Sequence, residues 1–533
     1  MARQHKTATA SAGPSRVDTH TGAVLDPSRV RLWTSRLIAS GPAGDVTAPA
    51  TGRPVTAVRR SVPADVDEAF RRARLAAPGW AATPVDQRAA VLLRLHDLVL
   101  AARDELCELL TATAGKTRRD AFEEVADIGQ VTRYYARTAA AVLAPRRRAP
   151  VLPGWRAPHE VLEPVGVVGT ITPWNYPFTL GLTDGLAALT AGNTVVAMPD
   201  ARVPVVSARI AALLAAAGLP DGCWNVVCGD PAELGPAVVD QADGIAFTGS
   251  TATGRTVAAR CGERLIPAVL ELGGKNAVIV LADVDVDTAV EITLRNSFAD
   301  AGQTCVSSER VYVHAAIADR FVAALAAAAR RMRVGVLADP DCEVGSLMDD
   351  RSLERVRAHV DDALACGARV LAGGRHRPDL GPFVYEPTVL SDVPVGALCA
   401  RAETFGPVLA VYPVADADAA VAAVNDSDFG FHHVVLGRDV AAATAVADRL
   451  RAGNVSVNDG YIVSWAATDV PVGGWAGSGL GRRHGAVGLT NWTRGRTVAV
   501  GRRVPLAASG LRAPALERAL STGLRVLRRS GRR

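Results

Sequence analysis

Apolar residues early in the chain recur three and four positions apart. Val91, Leu92, Leu95, Leu98, Val99, Leu106, Leu109 and Leu110 fall on one face of a 3.6-residue repeat, which predicts one long amphipathic helix from Pro84 to Gly115. A second helical stretch, Arg118 to Leu143, ends at Pro145 and the Arg146–Arg148 run. Pro150, Pro153, Pro158 and Pro164 then break any regular element, so a protruding hairpin or linker is expected there. From Val165 the pattern changes to short β-rich runs: Val165–Ile171, Thr194–Met198, Trp224–Cys228 and Gly244–Thr248, separated by helical stretches such as Pro204–Ala217. A second such series, from near Pro267 to Asn458, includes Ala277–Leu281, Val311–His314, Val408–Val414 and Val434–Leu436. Strand and helix in alternation make parallel sheets with helices on both faces. The expected fold class is therefore α/β, with two doubly wound domains.

Composition narrows the function. A chain of 533 residues, 49% hydrophobic and 21% charged, is an ordinary globular protein with ample core. The formal charge of +5 conceals a split: residues 496–533 carry ten Arg against the single acid Glu517, a net +9, and the rest of the chain is mildly acidic at −4. A nucleic-acid-binding enzyme would carry its basic stripe on the folded body, so that class is set aside. Eight cysteines without a C-x-x-C pair give neither a disulfide framework nor a zinc pattern. No metal is expected, and a reducing cytoplasm is the expected setting. Met1 to Asp18 is polar, without the apolar core of a signal peptide, and no run of about 20 apolar residues could cross a bilayer.

Four segments could carry chemistry. Cys305, in Ala-Gly-Gln-Thr-Cys-Val, lies on a glycine-bearing loop between the helical stretch Ala289–Phe298 and the strand Arg310–His314. Such a thiol is better placed for nucleophilic work than one in an apolar face. Cys107, Cys223, Cys261 and Cys366 read as small buried hydrophobes. Glu271 ends an apolar strand before two glycines, and a carboxylate in apolar surroundings has a raised pKa that suits a general base; a salt-bridged structural acid fits equally well. Phe247-Thr-Gly-Ser-Thr-Ala-Thr-Gly254 links a strand to a helix with residues small enough to admit a phosphate at the helix N-terminus, although a plain helix cap explains it nearly as well. Pro173-Trp-Asn-Tyr-Pro-Phe178 fixes the backbone around Asn175, whose amide could donate to an oxyanion or simply close a turn.

These segments do not occur singly. Pro173–Phe178, Ala191–Val196, Phe247–Gly254, Glu271–Lys275, Gly302–Cys305, Glu403-Thr-Phe-Gly-Pro407 and Gly479-Leu-Gly-Arg-Arg-His-Gly485 follow the order and spacing of the NAD(P)-dependent aldehyde dehydrogenase superfamily, which the chain resembles from about residue 20 to 500. Through Thr183-Asp184 and Asn458-Asp-Gly-Tyr461 it looks most like a bacterial succinate-semialdehyde dehydrogenase branch. The resemblance implies that Cys305 attacks the aldehyde, Asn175 and the Cys305 N–H hold the oxyanion, and Glu271 activates water to hydrolyse the thioester. It places Glu403 on the nicotinamide ribose, Phe405 against the ring, Gly249 and Ser250 at the pyrophosphate, and Trp174, Met198, Gly254 and Leu272 along the cofactor. It implies a cofactor-binding domain of residues 20–145 and 165–270, a catalytic domain of 271–470, and an oligomerisation element of 146–164 and 486–500, in a cytoplasmic homodimer or homotetramer. Residues 1–19 are expected to be disordered.

Departures from that pattern bear on specificity. Most members have Lys-Pro-x-Glu where this chain has Met198-Pro199-Asp200-Ala201. Without the Glu a 2′-phosphate meets less repulsion, and Arg202 is close, so NADP is favoured over NAD although Asp200 argues the other way. Asp184 replaces a lysine found in many relatives and is read as a buried hydrogen-bonded acid, with a proton relay as the alternative. Thr183 and Ala299 stand where relatives hold a substrate carboxylate with arginines. An apolar aldehyde is therefore expected over succinate semialdehyde, with Tyr176, Phe298 and Trp465 lining an apolar entrance. A cofactor-poor thioester or ester hydrolase, or a non-catalytic assembly protein, remain the alternative functions. Within the tail 501–533, Leu511, Leu516, Leu520, Leu524 and Leu527 recur at near-helical spacing among arginines. This basic amphipathic segment is expected to pack on the enzyme or stay unstructured, weak contact with a membrane surface being the other reading.

Overall fold

The computed structural model describes residues 25–150, 157–335, 341–500 and 513–530. The disordered start expected at 1–19, the centre of the proline-rich hairpin and Leu511 fall outside them.

Two sheets organise the body. The first runs in the order Gly479–Leu480, Ala268–Glu271, Gly244–Thr248, Val167–Thr172, Thr194–Pro199 and Trp224–Val226. All its pairings are parallel except that of Gly479–Leu480 on Ala268–Glu271. Period-2 alternation sends Val195 and Ala197 to one core and Val196 and Met198 to the other, so helices cover both faces. The second sheet runs Arg369–Ala372, Thr388–Ser391, Val408–Val414, Ser308–His314, Asn276–Val280, His432–Leu436 and Asn454–Val457, with only the first of these antiparallel. Two doubly wound α/β units are thus present, as the alternation predicts.

Four expectations need correction. The long helix of residues 84–115 is two helices, Val85–Ala101 and Arg103–Ala114, broken where Ala102 leaves helical geometry at ψ 10°. Residues 486–492 pack with the first sheet and not with the strand Thr493–Val498 that follows, because Leu489 and Trp492 are fully buried in that sheet's core. The remaining segments for which that role is expected form a three-stranded sheet of Arg146–Arg147, His159–Pro164 and Thr493–Val498. Cys366 is exposed, whereas Cys107, Cys223 and Cys261 are buried. The tail forms a helix, Ala513–Ser530, yet it is not packed away: Leu524 is 62% exposed and Val526 59%. Among the described residues no helix is long and apolar enough to cross a membrane.

Candidate active site

In the first sheet the strand order reverses between Val167–Thr172 and Gly244–Thr248. Ligands of open α/β sheets bind in the crevice beyond the C-terminal ends of the strands at such a switch point. Asn175 follows one of these strands and Gly249 the other.

The loop that leads to Cys305 is held in an unusual backbone. After the helix Val286–Phe298 the chain makes a left-handed turn through Asp300, Ala301 and Gly302, with φ of 51°, 54° and 72°. Three successive residues there are costly unless the surroundings enforce them. Lys116, fully buried, enforces them: its ammonium lies 2.9 Å from Asp300 and 3.5 Å from Glu124, over the face of Tyr176. Glu124 in turn accepts from the Phe178 and Thr179 N–H groups at 2.8 and 2.9 Å, which fixes the loop bearing Asn175. The Asp300 N–H donates to Asp120. The Asn276 amide donates to the Cys305 carbonyl at 2.8 Å.

Cys305 and Asn175 share a cavity of about 120 Å³. The Asn175 amide donates to the Gln303 carbonyl at 2.8 Å. Burial pushes the Cys305 thiol up to about 12, with the Glu271 carboxylate adding to the effect, so the thiol needs a base. Glu271 is 1% exposed, and neither of its oxygens has a hydrogen-bond partner among the described residues. Burial pushes its carboxyl up to about 8 against the pull of Arg483. An unpaired carboxyl so poised can exchange a proton near neutral pH. Tyr176 and Trp465 line the cavity as expected; Phe298 does not, being fully buried in the core against the second sheet. Thr183 and Ala299 are also buried, with Thr183 bonded to the Thr179 carbonyl of its own helix.

Several of the residues expected to hold a dinucleotide are tied to one another. Ser250 caps the helix Thr251–Glu263 by accepting from the Thr253 N–H, leaving a helix N-terminus open to an anion. Gly254 lies where a Cβ would stand 2.3 Å from Leu272, so only glycine lets this helix approach the strand so closely. Glu403 accepts from the Gly274 N–H at 2.8 Å, and burial pushes its carboxyl up to about 7. Phe405 holds φ 53° and meets the edge of Trp174, ring centroids 5.9 Å apart. Its N–H, with that of Thr404, donates to Glu309, which pairs with the buried Lys275. These groups suit a ribose, a pyrophosphate and a flat ring. Met198 departs from its expected place: it is 3% exposed and packs into the core with Leu234 and Phe247. Arg202 is also less free than its position suggested, since it grips Asp200 through two nitrogens and Asp349 through a third. Among the described residues no cluster of three or more His, Cys, Asp or Glu could hold a metal.

Two groups escape sequence reasoning. Arg483, 2% exposed, lies between Asp184 and Glu271, and nothing in the run Gly-Arg-Arg-His-Gly marks which arginine turns inward. The other is the acidic set Asp120, Glu123, Glu124 and Asp127 on one helix. Its signal was legible, because Asp120, Glu124 and Asp127 occupy the same helical face as buried Ala121, Val125 and Ile128.

Comparison with known proteins accords with this geometry. A protein of Mycobacterium tuberculosis named "Putative succinate-semialdehyde dehydrogenase [NADP(+)] 2" is 44% identical over 465 residues, 87% of this chain and 90% of that one. Glutarate-semialdehyde dehydrogenase of Pseudomonas aeruginosa is 34% identical over 84% of this chain and 92% of its own. Among solved structures, betaine aldehyde dehydrogenase of Staphylococcus aureus in complex with NAD+ superposes with a TM-score of 0.83 at 29% identity, covering 88% of this chain and 94% of that one. An aldehyde dehydrogenase of Bacillus cereus gives 0.85 at 31%, covering 90% and 100%. The model of the aldehyde dehydrogenase family matches residues 38–498, and the chain belongs to that family as an NAD(P)-dependent oxidoreductase acting on aldehydes.

Proposed function

We propose that the protein oxidises an uncharged, apolar aldehyde to its carboxylic acid through a thioester on Cys305. The supporting observation is the placement of Cys305 and Asn175 in one apolar cavity, with the buried Glu271 close enough to raise the thiol. Glu271 takes the thiol proton, and the sulfur adds to the carbonyl carbon. The Asn175 amide, turned from Gln303, and the Cys305 N–H hold the oxygen as it becomes anionic. Bound NAD(P) supplies the two-electron oxidant that accepts the aldehyde hydrogen. Glu271 sheds that proton to solvent and then removes one from water, the hydroxide adds to the thioester carbonyl, and the C–S bond breaks to release the acid, the proton on Glu271 restoring the thiol.

The substrate reading rests on the lining. Ala126, Leu180, Val306, Ile462 and Trp465 face the cavity, and its charged members are the acids Glu123 and Asp127. Neighbouring Arg295 is already engaged by Asp120 and Glu123. A carboxylate tail would lose hydration there without gaining an ion pair. NADP is the preferred cofactor in this reading, supported by the absence of an acid at Ala201 and by the pairing of Asp200 with Arg202, which offsets its charge. The reading extends to a cytoplasmic homodimer or homotetramer joined through the exposed edge strand Thr493–Val498. The helix Ala513–Ser530, with Leu520, Leu524 and Leu527 opposite Arg518, Arg525 and Arg529, suits weak contact with an anionic membrane surface. Cys305→Ala tests the core of the proposal: aldehyde oxidation disappears while NADP binding, read by tryptophan fluorescence, persists. Substantial turnover in that variant would refute the mechanism.

A further inference from the structure

Three buried charged groups, Asp184, Arg483 and Glu271, lie together in the structure. The Arg483 guanidinium lies 3.2 Å from Asp184 Oδ2 and donates to Thr248 Oγ1 at 2.9 Å. Its Nε, without a hydrogen-bond partner among the described residues, is 4.0 Å from Glu271 Oε1. The guanidinium also lies over the Trp465 ring, at 5.8 Å. Its backbone is pinned, because Arg483 N–H and C=O both pair with Val472. The side chain, rather than the chain, is therefore what can shift. Two carboxylates compete for one cation, and only the hold on Asp184 is at contact distance.

We propose that Arg483 is a positioning residue for the hydrolytic half of the reaction, shared between Asp184 and Glu271, and that this sharing governs how readily Glu271 takes and releases a proton. The proposal rests on the thioester reading above. While the thioester waits, Arg483 closes from 4.0 Å to hydrogen-bond length and keeps Glu271 ionised. When Glu271 takes the proton of water, Arg483 falls back on Asp184, so the protonated acid faces no bare cation. The hydroxide adds to the carbonyl, Cys305 leaves as thiolate, and the Glu271 proton passes to it, which restores every group.

The charged and titratable groups facing Glu271 are Arg483, Asp184, Arg482 and the Cys305 thiol. Arg483 is faced by Asp184, Glu271, Cys305 and Tyr135. His484, next in the chain, is buried and held neutral, its pKa pushed down to about 3 by burial and by Arg483. Two removals therefore act in opposite senses. Arg483→Gln deletes the cation that favours ionised Glu271. Asp184→Asn deletes a carboxylate that disfavours it and frees Arg483 to turn.

The test follows hydrolysis of p-nitrophenyl acetate by the full-length protein without cofactor, where the burst reports acylation of Cys305 and the steady phase its hydrolysis. The pH midpoint of the steady phase is expected to move up by about one unit or more in Arg483→Gln and down in Asp184→Asn, with Arg483→Lys close to the parent. Midpoints that stay fixed, or shift together, overturn the proposal even if rates fall, because a merely structural pair would lower amplitude without opposed shifts. Should Arg483→Gln fail to fold, the direction of the Asp184→Asn shift decides alone. A parent protein without a burst, or a burst surviving Cys305→Ala, would instead refute the thioester reading.

Discussion

Lys116 Nζ stands 2.9 Å from Asp300 Oδ2, with neither side chain more than 3% exposed. This ion pair couples two loops, because Asp300 begins the turn into Cys305 while Lys116 also reaches Glu124, which holds the Asn175 loop. Taking one partner from a buried pair leaves the other charged in a low-dielectric interior. Lys116→Met is expected to cost about 3–5 kcal/mol in urea unfolding and to slow acylation. A loss below about 1 kcal/mol would show that other contacts hold the loops.

Glu271 gives stability a distinctive pH dependence. Its folded-state pKa is raised from 4.5 to about 8, so between those values the folded protein binds more protons at this site than the unfolded chain. Stability contributed by the site is present below the lower value and is lost as pH rises through the upper one. Glu271→Gln, which cannot ionise, should therefore be more stable than the parent at pH 9, by on the order of 5 kcal/mol, and equally stable at pH 4. Hydrolysis of the acyl-enzyme in the parent should increase with pH up to about 8. An advantage for the Gln variant that is the same at both pH values would contradict the assignment.

Two glycines should respond differently to alanine. At Gly302, with φ 72°, a Cβ would stand 2.3 Å from the Gly406 carbonyl oxygen, a backbone atom that accepts from the Val408 N–H at 2.8 Å. Gly302→Ala should abolish activity and destabilise the fold by more than about 2 kcal/mol. At Gly254 the clash is with the Leu272 side chain, which can rotate. That variant should fold, with cofactor affinity reduced about tenfold as the helix moves outward, roughly 1.4 kcal/mol. Titrations with NADP and thermal melts read both.

Cofactor choice should respond to residue 201. Ala201 follows Asp200, already neutralised by Arg202, so an added carboxylate there would remain unpaired. Ala201→Glu is expected to lower affinity for NADP relative to NAD by about tenfold or more. Equal effects on both cofactors would place the 2′-phosphate elsewhere.

Substrate preference is open to direct comparison. An aromatic or medium-chain aldehyde should show kcat/KM at least about tenfold above succinate semialdehyde, because a carboxylate near Glu123 and Asp127 is repelled rather than paired. A clear preference for the acid would show that Arg295 lets go of Glu123 to take it.

The sequence carried the sheets well because their strands are buried on both faces and read as apolar runs: Gly244–Thr248 and Val408–Val414 form as expected to the residue. Periodicity failed at Ala102, since the apolar repeat continues through the helix break in the next helix. It was also silent on the hairpin Ala43–Ala48 and Arg53–Arg59, whose strands are largely exposed. At the candidate site, loop glycines and strand ends single out Cys305, Asn175 and Glu271, and the structure brings Cys305 and Asn175 to one cavity. Met198 was misplaced because alternation along its strand, and not the motif it interrupts, decides which way the side chain faces. Arg483 was invisible because its role depends on a partner, Asp184, distant in sequence.

The antiparallel addition of Gly479–Leu480 to Ala268–Glu271 also bears on how the protein is born. Asn175, Glu271 and Cys305 all leave the ribosome well before this strand and the Arg483 behind it. A nascent chain holding Cys305 and Glu271 would thus carry an exposed sheet edge beside an unfinished site, and under the proposed mechanism competence would arrive late in synthesis rather than with those three residues.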